Sequence, residues 1–264
     1  EVDVKDESFN IYVSGIDTFG KIQSVSRSDV NMIVTVNPTT HEILLTSIPR
    51  DYYVQLHGKK GLKDKLTHAG IYGVDTSVKT LEDLFGIDIN YYVRVNFTTL
   101  IDVVDIIGGI DVYSDKSFTA FTNRSVSFKK GNNHMSGKQA LAFARERYAY
   151  QEGDRHRVQN QQAVITAIMN KVLSSKTIIT KYNSLLNSLD GSFEMNMKMS
   201  SLTDLIKEQI DTMPKWNIKS QSVNGKDSQN YTYSYAGQKL YVMEPDMSTV
   251  ETAKTEINRV LKNK

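Results

Sequence analysis

The sequence has 264 residues, 39% hydrophobic and 23% charged. That fits one large α/β domain and excludes disordered, collagen-like and coiled-coil chains. Its 32 basic and 30 acidic residues leave a net charge of +2, which is no polyanion-binding signature, so no nucleic-acid partner is expected.

There is no cysteine, so disulfide frameworks, thiolate zinc sites and cysteine nucleophiles are excluded. No apolar run approaches the roughly 18 residues that a membrane span needs. The first residues, Glu1 to Asp6, form neither a basic nor an apolar leader, and there is no initiator Met. The chain is therefore expected to be a fragment or mature portion, with any signal or anchor ahead of Glu1.

In chain order, Phe9, Ile11 and Val13 alternate with polar residues and predict a strand. Gly15-Ile16-Asp17-Thr18-Phe19-Gly20 ends it with loop chemistry. Residues 29–36 alternate again, Asn37-Pro38-Thr39-Thr40 reads as a turn, and 41–48 returns, which predicts a β-hairpin over 29–48. Pro49 stops that strand just before Arg50 and Asp51. Apolar spacing predicts a helix over 74–85, a strand over 91–97 and a short helix over 98–107 closed by Gly108-Gly109. A helix over 136–143 starts at a Ser N-cap, and a longer one runs from 154 to 172. Helices near 176–188, 200–212 and 247–261 flank strands near 216–223 and 229–243. With four prolines and no repeats, the pattern predicts a single α/β domain whose central mixed sheet is flanked by helices.

Two polar clusters carry the chemistry. Asp17, Arg27, Asp29 and Arg50 all fall near strand ends, where α/β sheets commonly place ligand groups. Two carboxylates facing one pocket suit a hard cation such as Mg²⁺, which keeps several waters and takes its other ligands from phosphates. The second cluster is Arg145, Arg147, Arg155 and Arg157, followed by Gln161. A guanidinium fork pairs with two phosphate oxygens at once, which lysine cannot match. Arg157 and Gln161 are one helical turn apart, in the early turns where the dipole favours an anion. Glu146, Glu152 and Asp154 lie in the same stretch, so a self-paired, solvated helix face competes with a phosphate site. His41, His57, His68, His134 and His156 show no metal-ligand spacing, and there is neither a nucleophile elbow nor a Walker loop.

The order Gly15-Ile16-Asp17, Arg27-Ser28-Asp29, Ser47-Ile48-Pro49-Arg50-Asp51, Gly137-Lys138-Gln139-Ala140-Leu141, Ala144-Arg145-Glu146-Arg147 and Gly153-Asp154 with Arg157 and Gln161-Gln162 resembles the LytR-CpsA-Psr family. The stretch Asn96-Phe97 through Gly108-Gly109-Ile110-Asp111-Val112 resembles it as well, so the motifs run from about residue 8 to 170. Within the family the chain is most similar to the catalytic domain of a streptococcal capsule-type member. The resemblance implies a membrane-anchored enzyme on the extracellular face of the cell membrane, with an N-terminal anchor that this chain lacks. It implies transfer of a glycopolymer, capsular polysaccharide or teichoic acid, from a polyprenyl-diphosphate carrier to a peptidoglycan acceptor, and a hydrophobic groove for the polyprenyl tail. One position departs from the family pattern. Asn160 stands where the second arginine of Arg-x-x-Arg-Gln-Gln is common, so no phosphate role is expected of it.

On that reading Asp17 and Asp29 hold Mg²⁺. Arg27, Arg50, Arg145, Arg147 and Arg157 clamp diphosphate oxygens, with Gln161 as a neutral donor. Asp17, Asp29, Arg50, Arg145 and Arg147 are the catalytic candidates. Carboxylates are weak bases near neutrality, so positioning and charge neutralisation are expected to outweigh proton abstraction. Two alternatives keep the same residues: a polyprenyl-diphosphate phosphatase, with water as acceptor, and a non-enzymatic lipid-phosphate-binding module.

Overall fold

The computed structural model describes residues 2–189 and 191–262. The chain forms two compact units, neither a continuous stretch of sequence. One comprises residues 1–96, 193–205 and 217–264, and the other 97–192 and 206–216. Among the described residues the central sheet has six strands, all in the first unit, in the order Phe193–Met195, Tyr91–Asn96, Phe9–Ile16, Val30–Asn37, Glu42–Ile48 and Asn217–Ser222. In chain order, the first strand, Phe9–Ile16, is antiparallel to the second, Val30–Asn37, and parallel to Tyr91–Asn96, and Asn217–Ser222 is parallel to the third, Glu42–Ile48. The sheet is thus mixed and flanked by helices, the expected fold class.

The hairpin forms where the alternation placed it, with Asn37 opposite Glu42. Asn37 Oδ1 accepts the backbone N–H groups of Thr39 and Thr40, each at 3.0 Å, and this side-chain-made turn fixes the register. Both strands are buried on both faces, which explains their near-continuous apolar runs. The helices Val74–Phe85 and Met247–Lys262 share a core with this sheet, built on Tyr12, Ile33, Leu44, Leu81, Phe85 and Ile257. Glu42 and Arg259 brace it with a two-pronged ion pair at 3.1 and 2.5 Å.

In the second unit, helices Phe97–Ile106, Gly137–Arg145 and Asp154–Leu173 surround an antiparallel pair, Ile110–Ser114 with Gly131–Met135. Ser136 caps its helix in a reciprocal box with Gln139. A Cβ on Gly137 would lie 2.2 Å from the carbonyl oxygen of Ile101, so only glycine allows the two helices this close.

Several expectations change. The first strand runs on to Ile16 and buries Asn10, Tyr12 and Ser14 more fully than the predicted face of Ile11 and Val13. Those buried polar side chains find partners, so the apolar alternation identified the strand but not its deeper face. The segment 229–243 is not one strand: Gly225–Asn230 and Leu240–Pro245 pair as a hairpin around an irregular loop. The helix expected near 176–188 is broken into Lys176–Ile179 and Tyr182–Ser188. Gly131–Met135 has almost no apolar pattern and exists through its pairing with Ile110–Ser114.

Candidate functional site

In the first unit, strand directions gather the predicted residues at one end of the sheet. Asp17 follows the first strand, Asp29 precedes the second and Arg50 follows the third. The antiparallel registers pair Gly15 with Val30 and Asn31 with Ile48, so these three positions are neighbours by topology. Asp29 is the hub. Its Oδ1 accepts from Arg50 at 3.1 Å and its Oδ2 from the Asp17 backbone N–H at 3.0 Å. Asp51, itself held by Lys65 at 3.0 Å, steadies the Arg50 Nε at 3.7 Å. Arg27 is exposed and donates to the Tyr235 hydroxyl at 3.0 Å.

A buried polar network holds the loop that carries Arg27 and Asp29. The Tyr12 hydroxyl donates to Asn31 at 2.6 Å and bonds Ser28 at 3.0 Å, and Ser28 also meets Ser14 at 2.7 Å. Burial pushes the Tyr12 hydroxyl pKa up, against the pull of its serine partners, so it stays a neutral donor. Farther along the loop, Arg94 and Asn96 reach from the sheet to the carbonyls of Gln23 and Gly20, both at 2.7 Å. Arg94 is buried and also pairs with Glu194 at 2.5 Å. The sequence reading missed Arg94: one arginine in an otherwise apolar strand, Tyr91–Asn96, is the signal that could have found it. Gly70 completes the support, because a Cβ there would lie 2.1 Å from the Ser26 carbonyl oxygen.

In the second unit, Arg145 ends the helix Gly137–Arg145 and Arg147 sits in the turn that follows. Glu146, between them, is buried. Its Oε1 accepts the backbone N–H groups of Arg147, Tyr148 and Ala149 at 3.1, 2.7 and 3.0 Å, and its Oε2 that of Phe121 at 2.8 Å. One carboxylate therefore builds the turn that displays both arginines, a role that charge counting alone could not reveal. The Arg145 guanidinium lies 4.5 Å from the Phe97 ring centroid. Arg147 and the buried Arg157 meet on Asp154, at 3.2 and 3.1 Å. Gln161 is half-buried one turn beyond Arg157. Asn160 is buried and donates to the Phe143 carbonyl at 3.1 Å, tying this helix to the one that ends at Arg145.

Asp17 and Asp29 are the candidate magnesium ligands. Among the described residues no group of three or more His, Cys, Asp or Glu forms a cation cage. Asp17 and Asp29, joined through the Asp17 backbone N–H and the Asp29 carboxylate, are oxygen donors of the right hardness, and two carboxylates suit an ion that takes phosphate and water for the rest. The residues present fit such a site.

The LytR_cpsA_psr family model matches residues 1–252. A Bacillus anthracis protein named polyisoprenyl-teichoic acid–peptidoglycan teichoic acid transferase TagU is 36% identical over 210 residues, 79% of this chain and 67% of its own length. A protein of the same name from Enterococcus faecalis is 34% identical over 227 residues, 85% of this chain and 69% of its own length. The crystal structure of Bacillus subtilis TagV superposes with a TM-score of 0.79 at 30% identity, covering 98% of this chain and 99% of that one. A structure described as TagT bound to LIIa-WTA gives 0.80 at 29% identity, covering 100% and 94%.

Proposed function

The chain belongs to the LytR-CpsA-Psr family, and from that premise we propose that it is a phosphotransferase moving a glycopolymer from a polyprenyl-diphosphate carrier to peptidoglycan. The polymer is an anionic wall glycan of the teichoic-acid or capsular type. The teichoic-acid names of the relatives favour the first. The reaction belongs at the extracellular face of the cell membrane, where a lipid surface presents the carrier and peptidoglycan is at hand. Among the described residues no helix is long and apolar enough to cross a membrane.

The observation that carries this reading is the turn around Glu146. Two arginines two residues apart are fixed by one buried carboxylate that satisfies four backbone donors. Rigid guanidinium forks suit phosphoryl oxygens, whose charge is redistributed in the transition state. In the proposed reaction an acceptor hydroxyl attacks the sugar-bearing phosphorus. The new P–O bond forms as the bond to the bridging oxygen breaks, and polyprenyl phosphate leaves with that electron pair. The hydroxyl proton passes to Asp17, Asp29 or solvent. Arg145, Arg147 and Arg157 hold phosphoryl oxygens and Gln161 adds a neutral donor; Arg27 and Arg50 are further candidates for binding diphosphate oxygens. Mg²⁺, held by Asp17 and Asp29, would neutralise diphosphate oxygens and ease departure of the leaving phosphate.

The test is an acceptor-dependence assay. A polyprenyl-diphosphate-linked glycan is supplied with and without peptidoglycan. A transferase yields a glycan–phosphodiester on peptidoglycan together with polyprenyl phosphate. Identical release in the absence of acceptor, with no glycan on the wall polymer, would make the protein a phosphatase instead.

A further inference from the structure

Beside Arg27 the first unit carries an aromatic surface that no step above uses. In the loop after Gly225–Asn230, Tyr231-Thr232-Tyr233-Ser234-Tyr235 alternates large and small side chains. The three tyrosines are 45, 39 and 42% exposed, whereas Thr232 is fully buried. The ribbon is pinned from beneath. The Ser234 N–H and hydroxyl donate to the buried Asp64 carboxylate at 2.9 and 2.5 Å. The Tyr233 N–H donates to the Lys63 carbonyl at 3.0 Å, and the Tyr53 hydroxyl to the Tyr231 carbonyl at 2.8 Å.

Tyr72 extends the surface, its ring centroid 6.1 Å from that of Tyr233. Cations flank it. Lys59 Nζ lies 4.1 Å from the Tyr72 centroid, and Lys239 Nζ lies 5.8 Å from that of Tyr231. At its other end Tyr235 contacts Arg27. A fixed ribbon that leaves several large rings in water is costly without a ligand, and rigid tyrosines give contact area at little entropic loss.

We propose that this tyrosine ribbon binds the glycan strand of the peptidoglycan acceptor. The flat C–H faces of successive pyranose rings stack on tyrosine faces, and sugar hydroxyls meet the phenols. The lysines complement the carboxylates that peptidoglycan carries on its stem peptides. A polyol-phosphate polymer of the teichoic-acid type matches the charge but has no backbone ring to stack, so against such a polymer the aromatic faces select the acceptor. The acceptor role rests on the transferase reading above, whereas glycan binding by the ribbon does not.

The experiment is co-sedimentation of the full chain with peptidoglycan sacculi stripped of teichoic acid, with purified teichoic acid as a separate probe. Tyr231→Ala/Tyr233→Ala should bind sacculi about tenfold more weakly. Tyr231→Phe/Tyr233→Phe, which keeps the rings, should bind nearly as the wild type does. Lys239→Glu, at an exposed position, should weaken binding most at low salt. Peptidoglycan-dependent release of polyprenyl phosphate by the wild-type protein tests the transferase reading separately. Unchanged binding by the alanine pair and by Lys239→Glu would overturn the proposal. So would tyrosine-dependent binding to teichoic acid in place of sacculi.

Discussion

Asp29 makes the sharpest residue-scale prediction. Its carboxylate bonds both Arg50 and the Asp17 backbone, yet it lies at the end of a strand rather than in the core. Asp29→Ala should abolish Mg²⁺-dependent turnover while shifting the urea midpoint little, and wild-type turnover would refute the metal assignment. Arg145→Lys keeps the charge but loses the fork and its stacking over Phe97. Its turnover should fall about tenfold or more, and an unchanged rate would make Arg145 structural. These residues were legible because rare residue types sat beside strand and helix ends. Arg94 and Glu146 were not, because their work consists of bonds to backbone atoms remote in sequence or hidden in a turn. Charge spacing carries no record of such bonds.

At the scale of elements, two supports decide whether the candidate residues are held in place. Glu146→Ala would strip an acceptor from four backbone N–H groups. It should cost at least about 2 kcal/mol in chemical denaturation and lower turnover through loss of the arginine turn. Gly70→Ala would drive a methyl group into the Ser26 carbonyl. The loop bearing Arg27 and Asp29 must then shift, at a cost of roughly 1–3 kcal/mol in stability, and turnover should fall further than denaturation alone explains. The hairpin over 29–48 and the helix over 74–85 were readable because local pattern and tertiary burial agree there. The loop splitting 229–243 was not, because its Tyr-x-Tyr-x-Tyr alternation mimics a strand while its backbone bonds go to Lys63 and Tyr53.

For the whole molecule, acid sensitivity follows from buried carboxylates. Burial would push Asp64 up, but His68 and Ser234 hold its pKa below the ordinary value. The Arg259 fork depresses Glu42 in the same direction, against its partial burial. A carboxylate depressed in the folded state adds stability that is present above its unfolded pKa and lost as pH falls toward the folded one. Unfolding free energy should therefore hold near neutrality and decline from about pH 4 downward. Glu42→Gln should flatten part of that decline in denaturant titrations at pH 7, 4 and 3. The family, the mixed α/β fold and the two polar clusters could all be read from motif order along the chain. The partition into two discontinuous units could not, since each unit collects segments that lie far apart in sequence.

The central claim is that the candidate aspartates and arginines bind a prenyl diphosphate together with Mg²⁺. Calorimetric titration of a short prenyl diphosphate with Mg²⁺ tests it most directly, on the wild-type chain, Asp29→Ala and Arg147→Ala. The account predicts a single binding event that either substitution weakens by about tenfold or more. If either substitution leaves that affinity unchanged, that residue does not bind the diphosphate and the account fails.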